Sequence, residues 1–525
     1  MASKEDDEKP CCAHSEEGGS SECPVSEPLI VENEVKNGQK KARIAVVGCS
    51  HGEMDAIYET MTLLEEQKGY KFDLLICCGD YQAVRNYGDL PHMSIPPKYA
   101  SLQTFYKYYS GEKKAPVLTV FIGGNHESSG YLCELPNGGW VAPNIFYMGF
   151  ANCIQFAGLR IAGLSGIFAA GDFQFSHYER PAFSDRDVKT VYHVRSVDMF
   201  RLRQLKAAND DKLSNPIDIL LSHDWPVGIP DFGDKEWLFR KKDLFEADHN
   251  SGKLGNPHGM KLIYDCRPRY HLAAHLHVAF AALVPHKGSG SDRPQPTRFL
   301  SLDKPIPRRK FMQALEINVA EDAKMELSYD PHWLAILKST DLLTVAEKEQ
   351  IVLPDMASNR PCVYERKDFR PTPEELEEIK SLGDLTIKTD TFRQTAPSLK
   401  EDNSSARNVP PSAYYRNPQS ATFCQWLGIR DLNHLLVEKS SEHVGTPYYM
   451  IPQSEDLDSN KEQDGVNFGD DDFIVDRGHG SDEPVTKKNK IEETGIEDDY
   501  LDKEGRSDVE SGANCSSLDS GIHEG

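Results

Sequence analysis

Five short apolar runs in this chain stop at residue types that bind metal ions. "IAVVGCSHGEM" delivers Cys49 and His51, "DLLICCGDYQ" delivers Asp80, and "VFIGGNHES" delivers Asn125 and His126. "LLSHDWP" delivers His223, and "LAAHLHVAF" delivers His275 and His277. One carboxylate, one thiol, one neutral amide and several imidazoles suit a pair of divalent ions about 3.5 to 4 Å apart: the carboxylate bridges, and the neutral donors complete each shell without excess negative charge. On this reading Asp80 is the bridge, Cys49, His51 and His277 serve one ion, and Asn125, His223 and His275 serve the other. Gly48, Gly79, Gly123 and Gly124 allow the sharp turns that such crowding requires. His92, His249 and His258 have no comparable setting, while His177 and His193 stay open.

Something rigid must hold these groups. The runs "ARIAVV", "DLLI", "APVLTVFI", "LRIAGLSG", "IDILLS" and "YHLAAHLH" read as buried strands, and "MDAIYETMTLLEEQ" carries apolar residues at helical spacing. Their alternation points to an α/β (α+β) fold, a sandwich of two β-sheets with helices outside, and ligands at strand ends can then converge on one edge. Further on, "KFMQALEI" and "YDPHWLAILKSTDLL" read as a strand and a helix of a smaller C-terminal domain. The prolines and mixed charges from Pro354 to Pro418 read as a linker.

Charge marks the ends of the folded part. From Ser441 onward 23 acidic residues face 7 basic ones, and before Arg43 the numbers are 10 and 5; taking both from the formal net charge of -24 leaves about -3 for residues 43–440. The expected organisation is a disordered acidic extension (1–42), a catalytic domain (43–300), a C-terminal domain (301–440) and a disordered acidic tail (441–525). The opening "MASKEDDEKP" lacks the form of a signal peptide, and no window approaches the roughly 20 apolar residues of a membrane helix, so a soluble, intracellular monomer without membrane contact is expected. The 12 cysteines form no C-x-x-C pair, and disulfides are not expected. "KKNK", Lys487 to Lys490, has the form of a short nuclear address.

The order Cys-x-His, Gly-Asp, Gly-Asn-His-Glu, His, His-x-His resembles the calcineurin-like metallophosphoesterases. "GCSHGEMDAIYET", "CCGDYQAVRN", "PPKY", "FYKYYSGEKKAPVLTVFIGGNHE", "NGGWVAPNI" and "LSHDWP" are similar to the RNA lariat debranching enzymes within that superfamily. The likeness runs from about Arg43 to Leu302 and continues weakly through "ATFCQWLGIRDLN". It implies hydrolysis of the 2′–5′ phosphodiester at the branch point of excised intron lariats, giving linear introns with a 5′ phosphate. Two ions would bind the phosphate and activate water, with Asp80 and Asn125 holding the centre and His126 as general acid to the leaving 2′ oxygen. In the wider superfamily the first ligand is aspartate, and Cys49 in its place favours Fe2+, Zn2+ or Mn2+ over Mg2+. Glu53 reads as a helix N-terminal residue.

The resemblance also implies branched intron RNA as partner and the nucleus as location; protein partners of the acidic ends are not legible. Arg85, Asn86, Lys98 and Lys107 are expected at phosphates, and Tyr106, Tyr108, Tyr109 and Trp225 offer faces to unpaired bases, with Phe105 in the core. Ser165 to Arg195 matches the family's lariat-recognition loop and brings His177, Arg180, Lys189, His193 and Arg195 among aromatics. Two other readings are weighed against this one. A general nucleotide or nucleic-acid phosphodiesterase of the same fold would share the metal ligands, whereas a non-catalytic scaffold would have lost them, and none is missing.

Overall fold

The computed structural model describes residues 30–31, 37–180, 183–206, 217–287, 295–354, 364–399 and 415–441. These contain fourteen strands: β1 (Ile30–Val31), β2 (Gln39–Val47), β3 (Leu74–Cys77), β4 (Thr119–Phe121), β5 (Gly139–Ala142), β6 (Ile145–Tyr147), β7 (Ala151–Phe156), β8 (Leu159–Leu164), β9 (Ile219–Ser222), β10 (Tyr270–Ala273), β11 (Phe280–Val284), β12 (Thr297–Ser301), β13 (Met312–Ala320) and β14 (Leu327–Tyr329). They form two seven-stranded mixed sheets, ordered β1-β13-β2-β3-β4-β6-β5 and β11-β12-β10-β9-β8-β7-β14. This is the expected two-sheet sandwich flanked by helices.

Strand periodicity builds the layers. In β2 and β3, Ala42, Ile44, Val46, Leu74 and Ile76 point inward against Ile161, Ile219, Leu221 and Leu272 of the other sheet. The alternate residues Ala45, Val47, Leu75 and Cys77 face outward onto the helix Met54–Lys68 through Met54, Ile57, Tyr58 and Met61. Both faces are therefore buried, which is why these strands read as unbroken apolar runs. The second sheet is covered by the helices Ser196–Arg203, Gly259–Cys266 and Pro331–Ser339, with Met199, Leu202, Leu262, Ile263 and Trp333 in a second core. All seven cysteines among the described residues are free and buried. No helix among the described residues is long and apolar enough to cross a membrane.

The C-terminal segment expected from 301 builds strands into both sheets. β13 lies between β1 and β2, antiparallel to β2 from Met312 opposite Val47 to Ala320 opposite Gln39. "KFMQALEI" is therefore an inner strand of the first sheet, and β14, paired with β7, extends the second sheet in the same way. At the N-terminus, β2 begins at Gln39 and Ile30–Val31 pairs with β13, so strand reaches into the stretch assigned to the extension. The rest of that extension and the tail after Ser441 lie outside the described residues. The stretch read as a linker contains the helix Pro373–Lys380, closed by a capping box between Thr372 and Glu375, and Thr395 is buried against Glu134. Strand pattern reveals which face is buried but not which neighbour it pairs with.

Candidate metal centre and its rim

β2, β3 and β4 are mutually parallel, as are β9 and β10, so their C-terminal ends emerge at one edge of the sandwich. The chain then turns unusually hard. His51, Asp80, Gln82, His275 and His277 all have positive φ, at 46°, 45°, 56°, 64° and 47°. Non-glycine residues adopt this region at a cost of order 1–3 kcal/mol each, and such strain persists only where surrounding contacts enforce it. Two glycines allow the crowding: a Cβ on Gly79 would lie 2.2 Å from His223 Nδ1, and one on Gly124 would lie 2.2 Å from Asp80 Oδ1.

The donor atoms of Cys49, His51, Asp80 and His277 lie within 4.8 Å of one another. His51 Nε2 is 3.1 Å from His277 Nε2 and 3.9 Å from Asp80 Oδ2. On the other side, His223 Nε2 is 3.3 Å from Asp80 Oδ1 and 3.3 Å from Asn125 Oδ1. The His275 ring centroid is 5.0 Å from that of His223. The carboxylate of Asp80 thus faces two groups of donors, one with each oxygen, as the sequence reading requires. A soft–hard mixture of sulfur, nitrogen and oxygen donors fits a pair of divalent cations.

Orientation comes from a second layer of bonds. His223 Nδ1 is 2.8 Å from the Cys78 carbonyl, which takes its proton and leaves Nε2 free toward Asp80. The Gln82 side chain meets His51 Nδ1 at 3.0 Å. Glu127 accepts hydrogen bonds from the backbone N–H groups of Tyr81, Gln82 and Gly124 at 2.7, 2.8 and 2.9 Å, clasping the Asp80 loop to the Asn125 loop. Sequence reasoning assigned no role to Gln82 or Glu127, although the glutamate of "GNHE" stood in view. Glu53 sits at the N-terminus of the helix Met54–Lys68, as expected, without a side-chain cap bond.

Burial makes these groups ready donors. It lowers His275 to about 3 and His51 to about 4, and holds His277 well below the ordinary value, so all three are neutral. Burial alone would raise Asp80, but His223, His126 and His51 outweigh it and keep the carboxylate ionised. The Cys49 thiol is pushed well up by burial and by Asp80, and its Sγ accepts the His275 N–H at 3.2 Å. His126 stands at the mouth. Its backbone N–H donates to Asp80 Oδ1 at 2.8 Å, while its ring, 24% exposed, lies 3.6 Å from Asp80 Oδ2.

Most of the residues expected to touch RNA are elsewhere engaged. Arg85 is buried, paired with Asp89 at 2.8 Å and Glu134 at 2.7 Å, and stacked 3.9 Å from the Tyr131 ring. Asn86 caps the turn Tyr87–His92 and donates to Pro397 O at 2.8 Å. Trp225 is fully buried and donates to Ala274 O at 2.9 Å, supporting the His275 loop from below. Tyr108 and Tyr109 are buried beside Phe105, and Lys107 is held by Asp55 at 3.2 Å; Tyr106 is half-buried, and Lys98 is exposed. In the long loop, Arg195 is buried against Glu179 and donates to Asp172 O at 2.9 Å. His193 pairs with Asp172 at 2.8 Å, and His177 pairs with Asp198 at 2.7 Å and stacks on Phe150. Arg180 is half-buried. The carboxylates that pair with Arg85, Lys107, His177, His193 and Arg195 lie from 4 to 52 residues away in sequence, so only the fold shows which carboxylate each of them meets.

The loop itself is anchored at both ends of its path. Phe168 N–H donates to Asp224 at 3.0 Å, beside His223, and Gly166 N–H donates to Gly123 O at 2.9 Å. Farther out, Ser176 N–H donates to Glu349 O at 3.1 Å and Ile351 N–H to Gln174 O at 2.8 Å.

Residues 42–279 match the family described as "Calcineurin-like phosphoesterase", and residues 294–432 match "Lariat debranching enzyme, C-terminal domain". The lariat debranching enzyme of Caenorhabditis elegans is 80% identical over 491 residues, covering 94% of this chain and 98% of its own. That of Caenorhabditis briggsae is 78% identical over 93% of this chain and 96% of its own. That of Homo sapiens is 43% identical over 81% of this chain and 76% of its own.

Proposed function

The chain belongs to the lariat debranching enzyme family, and from that membership we propose that it hydrolyses the 2′–5′ phosphodiester at the branch of an RNA lariat, releasing a linear intron with a 5′ phosphate. Asp80 carries the assignment: its two oxygens face two separate donor groups at the strand ends, the arrangement that a shared pair of divalent ions requires. Cys49, His51 and His277 would hold one ion with Asp80, and Asn125, His223 and His275 the other. Such ions supply Lewis acidity at a phosphate and a nucleophilic oxygen at neutral pH. The protein's own part is to fix seven donors in place, keep His51, His275 and His277 unprotonated, and present His126 at the mouth to protonate the departing 2′ oxygen. The Ser165–Arg195 loop, rooted against Gly123 and Asp224, stands beside the centre where the nucleotides around the branch would lie. Turnover of a synthetic 2′–5′ branched RNA, set against a linear RNA of the same composition, tests the reading; equal hydrolysis of both would replace it with a general phosphodiesterase.

The thiol bears on metal identity. Cys49 is buried and shares a cluster with His51, Asp80 and His277, so it acts as a soft donor, and Fe2+, Zn2+ or Mn2+ is the expected occupant rather than Mg2+. Cys49→Ser is expected to lower turnover by about tenfold and to shift the preference toward harder ions without abolishing activity. Elemental analysis of protein purified without oxygen, followed by reactivation with single metals, measures this. A trapped phosphocysteine would overturn it.

We place the enzyme in the nucleus, with "KKNK" as its address, a segment outside the described residues. Imaging a tagged chain with Lys487, Lys488 and Lys490 changed to glutamine is expected to show it shifted to the cytoplasm; an unchanged distribution removes the address.

A further inference from the structure

Since Arg85 and Arg195 are buried in ion pairs, the RNA backbone needs other cations, and residues 43–440 carry only about -3 overall. They stand at the Cys49 side of the centre. After β12 the chain runs through "KPIPRRK", Lys304 to Lys310, before β13. This turn lies against the metal-binding loop: Gly48 N–H donates to Phe311 O at 3.1 Å, and a Cβ on Gly48 would meet Asp303 O at 2.3 Å.

A second element joins it. Gly233, just before the helix Lys235–Lys241, bridges to Ala282 of β11, whose Phe280 lies opposite Ser301, two residues before Asp303, and Arg309 faces Asp303 at 3.4 Å. That helix places Trp237, Arg240 and Lys241 at i, i+3 and i+4, hence on one face, and Trp237 is 40% exposed. Among the described residues, no carboxylate lies within ion-pair distance (4.0 Å) of Arg240, Lys241, Lys304, Arg308 or Lys310. Other surface lysines are neutralised, Lys113 by Asp55 at 2.7 Å and Lys338 by Glu378 at 2.7 Å among them. Pro305 and Pro307 stiffen the turn, so little freedom is lost when it binds.

We propose that the Lys304–Lys310 turn and the Trp237–Lys241 helix face form a track for an RNA strand leaving the branch, cations on its phosphates and Trp237 stacked on an unpaired base. The inference rests on the debranching reading. Unpaired cations next to an exposed tryptophan fit a single-stranded nucleic acid better than an acidic polypeptide, which has no base to stack.

The test uses the metal-loaded full chain and two substrates, a minimal branched core and the same core with arms lengthened by about ten nucleotides, within the usual reach of single-strand sites. For Lys241→Gln/Arg308→Gln/Lys310→Gln, the ratio of kcat/KM on the long-armed to the minimal substrate is expected to fall about tenfold, mostly through KM, and the salt slope to flatten by about 2, at roughly 0.7 per lost phosphate contact. Trp237→Ala should lower the same ratio by at least about fivefold. The conservative Arg308→Lys/Lys310→Arg variant should keep the ratio. An unchanged ratio and slope overturns the track, as does an equal loss on both substrates, or loss of polyglutamate binding with RNA kinetics intact. A wild type that cleaves linear RNA as well as the minimal core sinks the debranching reading and the track with it.

Discussion

Asp80→Asn is expected to empty the centre of metal and to lower turnover of branched RNA by more than about 10³-fold, equivalent to about 4 kcal/mol. The amide has the shape of the carboxylate, and its oxygen can still accept the His126 N–H now 2.8 Å from Oδ1, so the local backbone should hold. What disappears is the charge. Asp80 is the group's one anion, because burial keeps His51, His275 and His277 unprotonated, His223 is raised, its burial outweighed by Asp80 itself, and Cys49 is a thiol until a cation displaces its proton. Two dications would then face each other with no anion between them. The amide NH2 would also point toward His51, 3.9 Å from the present Oδ2, as a donor against a second polar group that should bind a cation. Metal content after anaerobic purification, turnover of branched RNA and circular dichroism together decide the matter. A folded variant that keeps two ions and stays within tenfold of wild type removes Asp80 from the bridging position.

The metal centre was legible because its information is local. Each ligand follows an apolar run by one to four residues, so residue type and strand end could be read together, and parallel strands bring such ends to one edge without further instruction. The surrounding fold was legible only in its elements. That Met312–Ala320 forms a strand follows from its alternation; that it enters the first sheet beside β2 depends on a pairing between residues about 275 apart, as Lys41 and Glu316 show. The RNA contacts failed for a related reason. Arg85 could have been matched with Asp89 four residues on, but Glu134 and Thr395, which complete its burial, lie 49 and 310 residues away. An arginine near a ligand therefore looks the same in sequence whether it faces solvent or closes a core. The cations in "KPIPRRK" and at the end of "KEWLFRKK" carried a visible signal of density, yet they lie far from any ligand in sequence, and only the fold brings the turn that carries the first of them against Gly48.

His126→Ala separates chemistry from support. Turnover of branched RNA is expected to fall by about 10² to 10⁴-fold, while metal content stays at the wild-type level and hydrolysis of a nitrophenyl phosphodiester falls by no more than about tenfold. The contrast follows from the leaving groups. A ribose 2′ alkoxide is a poor one and needs a proton as it departs, whereas nitrophenolate leaves without help. The structure makes the test clean, because the bond that ties this residue to the centre is made by its backbone N–H to Asp80 Oδ1, which alanine retains. The ring adds no hydrogen bond there, since Nδ1 is 3.6 Å from Asp80 Oδ2, and with 24% of the side chain exposed its loss opens no large cavity. A ring that served only to shape the metal site would depress both substrates alike and release metal on dialysis. Equal losses of that kind would move the acid to another group at the mouth, and the proton for the 2′ oxygen would have to come from water.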